Sequence, residues 1–350
     1  MNDPVLETVR DWSGAGLEFA LATVVGVRGS TYRGLAARQL MGRDGTSVGT
    51  VSGGCLDNDL RQVAERVMET GVAERVEFDL TADDEAIWGW GVGCNGATDL
   101  LVEPSHTAVQ LGELLAGPGV EHACVIHPIP DPERRRIVRA DDATDDPVDT
   151  EARAALAAGR HRAVDIDGAR YLFEVIGAPP RLVVFGAGHD AAPVVAQAAR
   201  LGFRTVVVDD RRQFLTAERF PEAHDLIHAE PVDLARTIRP DAKTSVVLMS
   251  HNYLRDLDAL RSLLGTDVAY IGALGPGERL ERLLGDLAET GVTPSEEDLA
   301  KLHGPAGLDI GAEGPVEIAW SVLAEVLAVA RGKEGGSLRD RKGPPRLRRR

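Results

Sequence analysis

The sequence predicts an α/β protein of two domains, the second built on a parallel sheet. Three observations point there. A chain of 350 residues is longer than one ordinary domain. Aromatic residues are scarce and glycine is plentiful, which favours α/β layering over an aromatic-rich β-sandwich. In the second half, short apolar runs alternate with helical patterns, as successive strand–helix–strand units require.

Taken in order, Asp3-Pro4 offers an N-cap and a proline at the first helical position, opening a helix to about Gly14. Leu17–Val27 reads as a buried strand and Arg28–Thr31 as a turn. Ala37–Gly42 and Ser47–Val51 form a hairpin across Asp44-Gly45. Leu56–Glu69 places apolar residues at 56, 60, 63 and 67, one face of a helix. Glu74–Leu80 and Leu100–Glu103 are strands, separated by a Trp- and Gly-rich stretch at Trp88–Gly96. A helix over His106–Leu115 and a strand over Ala123–His127 follow. Asp131–Asp149 is polar and acidic and is expected to be mostly hairpin tip and loop, with a hairpin over Ala163–Ile176 turning at Asp167-Gly168.

Pro179-Pro180 marks a boundary. The expected domains are 1–178 and 179–332, with a basic, disordered tail at 333–350. In the second domain, strands at Leu182–Phe185, Thr205–Val208, Ser245–Met249 and Val268–Ile271 alternate with helices to Leu201 and over Asp256–Leu264. Pro315–Arg331 closes the chain as a long amphipathic helix whose apolar face is Val316, Ala319, Trp320, Leu323, Val326 and Leu327.

Charge narrows the function classes. The formal net charge is −16, although Lys333–Arg350 is strongly basic. The acidic body repels nucleic-acid phosphates, so no nucleic acid is expected as a partner. No stretch is apolar enough to span a membrane, and three cysteines make no disulfide framework; the chain reads as cytoplasmic.

Two glycine-rich turns carry the chemistry. GAGHDA, residues 186–191, follows a strand and opens a helix, the context of a dinucleotide fingerprint in a Rossmann-like domain. Gly186 permits the tight turn, Gly188 the close approach of a phosphate, and the helix start offers free N–H groups. Asp209 ends the next strand, where an acidic residue can bind ribose hydroxyls. His189 points to a ligand phosphate or to solvent. His251 stands at the carboxyl end of a later strand, the edge that lines the ligand crevice in such sheets, beside Asn252 and Asp256.

In the first domain, Cys55 follows Gly53-Gly54 and opens the Leu56–Glu69 helix. A helix start stabilises a thiolate, while Asp57 and Asp59 oppose it. Cys94 lies in GVGCNGA, and two thiols in flexible turns could converge. Cys124 sits in an apolar strand and is a core residue. The loop Arg28–Arg33 adds arginines and hydroxyls suited to a phosphate or carboxylate.

The ordered set of motifs resembles the XdhC/CoxI family, accessory proteins of xanthine dehydrogenase and related molybdenum hydroxylases. It rests on GSTYRGLAARQLMGRDGTSVGTVSGGCLDNDL at 29–60 and GCNGATDLLVEP at 93–104. In the second domain it rests on RLVVFGAGHDAAPVVAQAARLGFRTVVVDDR, MSHNYLRDLDAL, YIGALGPGERLERLL and the stretch from LHGPAGLDIGAEGPVEIAWSVLAEVLAV. Two departures fall at the presumed site: Tyr32 where many members have proline, and Gly-Cys-Asn-Gly where many have Cys-Gly-Gly.

The resemblance implies a small N-terminal α/β domain and a C-terminal Rossmann-like, nucleotide-binding domain. It implies a chaperone rather than a catalyst, one that binds molybdenum cofactor, supports its sulfuration and delivers it to a hydroxylase. A cysteine desulfurase and a homodimer are the further partners. On this reading Cys55, with Gly53 and Gly54, meets the metal, and Cys94 is a second thiol or a neighbour. Gly186, Gly188, His189, Asp209 and His251 take the phosphate or nucleotide end. The rival is an NAD(P)-dependent oxidoreductase; a third reading is a scaffold docked through its last helix.

Overall fold

The structure is a computed structural model that describes residues 4–79, 96–117, 120, 122–129, 131–142 and 145–340. The chain divides into two compact units, one running to Ala178 and the other spanning Pro179–Asp340. Among the described residues no helix is long and apolar enough to cross a membrane.

The first unit opens with α1 (Pro4–Gly14), β1 (Phe19–Gly29), β2 (Arg38–Gly42), β3 (Ser47–Gly49), α2 (Asp57–Thr70), β4 (Glu74–Asp79), β5 (Gly96–Pro104) and α3 (Ser105–Ala116). The strands form an antiparallel sheet in the order β3-β2-β1-β5-β4. β1 is apolar at consecutive positions because both of its faces are covered. Ala20, Ala22 and Val24 pack with Leu60, Val63 and Val67 of α2, while Phe19 and Leu21 pack with Val5 and Val9 of α1 and Leu111 of α3. β1 continues to Gly29, into the expected turn, because Arg28 and Gly29 pair with Ala97 and Gly96 of β5.

A second antiparallel sheet follows: β6 (Ala123–Ile129), β7 (Arg136–Arg139), β8 (Arg162–Ile166) and β9 (Ala169–Ile176), in the order β7-β6-β9-β8. Asp167 and Gly168 both have positive φ, the geometry of the Asp-Gly hairpin the sequence predicts. The acidic stretch Asp131–Asp149 is more ordered than expected. It contains β7, paired with β6, and the start of α4 (Pro147–Ala157). Two of its acids are structural: Asp146 caps α4 by accepting from Val148 N at 2.8 Å, and Arg136 pairs with Asp146 and Asp149.

The two sheets of this unit are joined by a buried ionic chain. Arg38 of β2 pairs with Glu174 of β9 at 2.5 Å, and His127 of β6 lies 2.8 Å from the same carboxylate oxygen. Arg135 donates from Nε to His127 Nδ1 at 3.0 Å and pairs with Glu103 of β5. All five side chains are at most 4% exposed. Because an arginine can only donate, His127 Nδ1 is an acceptor, so Nε2 carries the proton and donates to Glu174. Burial therefore holds the neutral ring and lowers the His127 pKa. Burial alone would raise Glu174, but Arg38 and His127 reverse this and hold its carboxyl well below the usual range.

The second unit consists of β10 (Arg181–Phe185), α5 (Ala191–Arg200), β11 (Arg204–Asp209), β12 (Asp225–His228), α6 (Leu234–Ile238), β13 (Thr244–Leu248), α7 (Tyr253–Leu263), β14 (Tyr270–Ala273), α8 (Gly277–Glu289), α9 (Glu296–Lys301), β15 (Leu302–His303) and α10 (Gly314–Ala330). All strand pairs are parallel, in the order β12-β11-β10-β13-β14-β15. This is the doubly wound Rossmann-like order, with its switch point between β10 and β13. Leu182 and Val184 face α5 and α10, whereas Val183 and Phe185 face α7 and α8.

α10 lies where the sequence places it, but the expected apolar face is divided. Ala319, Leu323 and Val326 are core, and Val322 joins them; Val316 and Trp320 are more than half exposed. The segment before α10 is tied down by Glu325, which accepts from Tyr270 Oη at 2.7 Å and Gly307 N at 2.8 Å and pairs with His303 at 3.1 Å.

Candidate functional site

The two glycine turns lie in different units. In the first, residues 50–56 link β3 to α2. α2 starts at Asp57 with Leu56 at the cap position, so Cys55 sits in the turn just before the helix and does not open it. Gly54 has φ +103, which a residue with a Cβ rarely adopts. Ser52 Oγ ties the turn together, accepting from Gly54 N at 3.0 Å and contacting Asp57 Oδ1 at 3.1 Å. Asp57 is thus engaged by Ser52 at the head of the helix.

Cys55 is partly exposed and shares a shallow pocket with Ser30, Thr31, Tyr32, Ser52 and Thr98. The loop and the cysteine turn, separate in sequence, are brought together because β1 leads into the loop alongside β5. The Tyr32 ring lies against Gly53: a Cβ there would meet Tyr32 Cδ2 at 3.3 Å. Cys94 lies outside the described residues. Cys124 is fully buried on β6, and burial pushes its thiol up to about 12, which fits the core reading.

In the second unit the switch point gathers the other expected residues. The turn after β10 holds Gly186, Gly188 and His189; the turn after β13 holds Ser250 and His251. Gly186 has φ +112, and a Cβ there would lie 2.5 Å from Ser250 Cα, so the two turns pack backbone to backbone. His189 is exposed. His251, at φ +55, contacts Asp190 Oδ2 through Nε2 at 2.6 Å. Ser250 Oγ donates to Asp256 Oδ1 at 2.5 Å, and Arg279 of α8 pairs with Asp256 Oδ2 at 2.7 Å.

Asp209, at the end of β11, is turned inward and 2% exposed. Its Oδ2 accepts from Ala187 N at 2.7 Å and Arg211 Nη2 at 2.8 Å; its Oδ1 accepts from Arg211 N at 2.8 Å and Nε at 2.9 Å. Burial opposes the charge, but these donors win and lower the carboxyl to about 2. Asp209 thereby braces the glycine turn. Sequence reasoning missed Asp190, Arg211 and Arg279. The Asp-Asp-Arg run at 209–211 was the available signal for Arg211.

Fold and site define a two-unit protein with a Rossmann-like half and a glycine–cysteine turn in the other half. Comparison with known proteins is specific. The family described as "XdhC Rossmann domain" matches residues 182–326, and that described as "XdhC and CoxI family" matches residues 12–79. A Bacillus subtilis (strain 168) protein named as a "Probable xanthine dehydrogenase" subunit is 31% identical, over 89% of this chain and 92% of its own length. The molybdenum cofactor insertion chaperone PaoD of Escherichia coli (strain K12) is 25% identical, over 92% of this chain and 87% of its own. A crystal structure described as a xanthine dehydrogenase from Bacillus halodurans superposes with a TM-score of 0.70 at 30% identity, covering 95% of this chain and 97% of that one. The chain belongs to the XdhC and CoxI family.

Proposed function

We propose that this protein is a maturation chaperone that binds molybdenum cofactor, supports its sulfuration and delivers it to a xanthine dehydrogenase-type molybdenum hydroxylase. The observation that carries the reading is similarity over 92% of this chain to a molybdenum cofactor insertion chaperone, together with a part-exposed thiol in a pocket lined by five hydroxyl residues. Among the described residues no group of three or more His, Cys, Asp or Glu is arranged to hold a metal ion. A single thiol suits a metal that arrives with its own dithiolene ligands, and thiolates suit soft centres.

On this reading Cys55, with Gly53 and Gly54, services the metal end as a ligand or sulfur relay, and Cys94 would be a second thiol or a neighbour. The phosphate or nucleotide end is assigned to the Gly186–His189 turn, with Asp209 behind it and His251 beside it. A cysteine desulfurase would supply sulfur, the hydroxylase would accept the cofactor, and the chaperone would work as a homodimer in the cytoplasm. The oxidoreductase alternative draws on the Rossmann-like order and the fingerprint turn, which would hold NAD(P).

Anaerobic titration with molybdenum cofactor, ultrafiltration and metal analysis test the proposal, with NADH run in parallel. Molybdenum retained near one per chain, and lost in Cys55→Ser, is the expected result. NADH retained without molybdenum would overturn it in favour of the oxidoreductase.

A further inference from the structure

The end of β11 carries information about the ligand that the fingerprint does not. In a sheet of this order, an acid at that position accepts ribose hydroxyls when its oxygens are free. Here the two oxygens of Asp209 already accept four donors, from Ala187 and Arg211. With two lone pairs per oxygen, that capacity is filled.

Arg211 is left as the group that faces outward. Its Nε and Nη2 are spent on Asp209, whereas its Nη1 meets no hydrogen-bond partner among the described residues. The Arg211 side chain is 29% exposed, and its Cζ lies 4.3 Å from the centroid of the Phe214 ring. Arg219 contacts the same ring, with Cζ 4.9 Å from its centroid, and so helps to hold the platform. The neighbouring Asp210 is paired with Arg255 of α7 at 3.0 Å. Arg212 is exposed next to it. The guanidinium groups of Arg211, Arg212, Arg219 and Arg255 therefore outnumber the two engaged carboxylates, Asp209 and Asp210. A held guanidinium with a spare N–H edge binds an anion, and a planar fork suits a phosphate.

We infer that Arg211 is a specificity-determining residue that selects ligands carrying a phosphomonoester at the β11 edge, over ligands that offer a free ribose diol there. This rests on the reading above, in which the second unit holds the phosphate or nucleotide end. Two sources share the chemistry: the phosphate of a pterin cofactor and the 2′-phosphate of a nicotinamide dinucleotide.

The test measures binding of two matched pairs to the full chain: NADPH against NADH, and molybdenum cofactor with its phosphate intact against the same cofactor after phosphatase treatment. At least one pair should show a preference of about tenfold or more for the phosphorylated member. Which pair shows it identifies the source. Arg211→Gln should abolish the preference, because the bared Asp209 carboxylate then repels the phosphate. Binding without discrimination in both pairs overturns the inference, as does no binding in either pair. A preference that survives in an Arg211→Gln protein with unchanged melting temperature also overturns it. If that variant does not fold, the wild-type pairs decide alone. Molybdenum retained without discrimination sinks this inference and leaves the proposed function standing. Discrimination in the nicotinamide pair without molybdenum retention does the reverse.

Discussion

Replacing His127 by glutamine should remove an acid-sensitive component of the first unit's stability. The ring is 1% exposed, donates to Glu174 and accepts from Arg135. Around it, Arg38 and Arg135 balance Glu103 and Glu174, so a proton on the ring adds uncompensated charge and destroys the acceptor for Arg135. The folded pKa is lowered by burial, and the ordinary value is 6.5. Only the unfolded chain therefore takes up this proton. Stability is full above the unfolded pKa and is lost as pH falls below it.

One proton is worth about 1.4 kcal/mol per pH unit, and between about pH 7.5 and 5.5 the unfolded imidazole takes up most of one proton. The ceiling on the loss is thus about 1.4 kcal/mol, or about 3–6 °C for a unit of this size. A Gln amide supplies one donor and one acceptor with no titration. Thermal unfolding of wild type and His127→Gln at both pH values gives the double difference. An equal acid-side loss in the two proteins would refute the neutral, buried ring, as would a wild type that gains stability on acidification. Glu174, also lowered, acts in the same direction at more acidic pH, below its unfolded value of 4.5.

Other substitutions probe the remaining contacts. Cys55→Ser should leave the melting temperature near wild type, since the side chain is part-exposed, while molybdenum retention on ultrafiltration drops. Gly186→Ala should cost at least about 1–3 kcal/mol in urea unfolding of the second unit, because φ is +112 and the new Cβ meets Ser250 Cα at 2.5 Å. A wild-type midpoint would show that the turns do not pack as described. Glu325→Ala should cost about 1.5–3 kcal/mol in the same assay, through loss of the bonds to Tyr270 and Gly307. Undisturbed near-UV signals from Tyr270 would count against that anchoring role.

Much of the fold was legible in the chain because its signals are local. Period and punctuation placed α1, α2, α5 and α7, the Asp167-Gly168 hairpin and the strands β10, β11 and β13 within a few residues. The glycines of residues 186–188 pointed to the switch point because strand, turn and helix follow one another directly in sequence. The stretch Asp131–Asp149 misled because its acids resemble a solvated loop. Asp146-Pro147 is nonetheless the same Asp-Pro pair from which the sequence predicts a helix start at Asp3-Pro4, so the signal for α4 was present.

What the sequence by itself determined is the class of the protein: an α/β chain with a Rossmann-like parallel sheet and its glycine turn, and a cysteine turn beside a helix. Hydrophobic period, glycine and proline act between neighbours in the chain, so their effect can be counted along it. Tertiary structure alone decided who meets whom. Arg38 finds Glu174 across 136 residues only because two sheets share one interior. Val316 and Trp320 continue the apolar stripe of α10 yet face solvent, because they lie on its flank while Ala319, Val322, Leu323 and Val326 take the core contacts. Asp209 looks like a ribose acceptor in the sequence, but its oxygens are filled by Ala187 and Arg211. A carboxylate's identity is written at its own position, whereas its free capacity depends on every donor the fold brings to it.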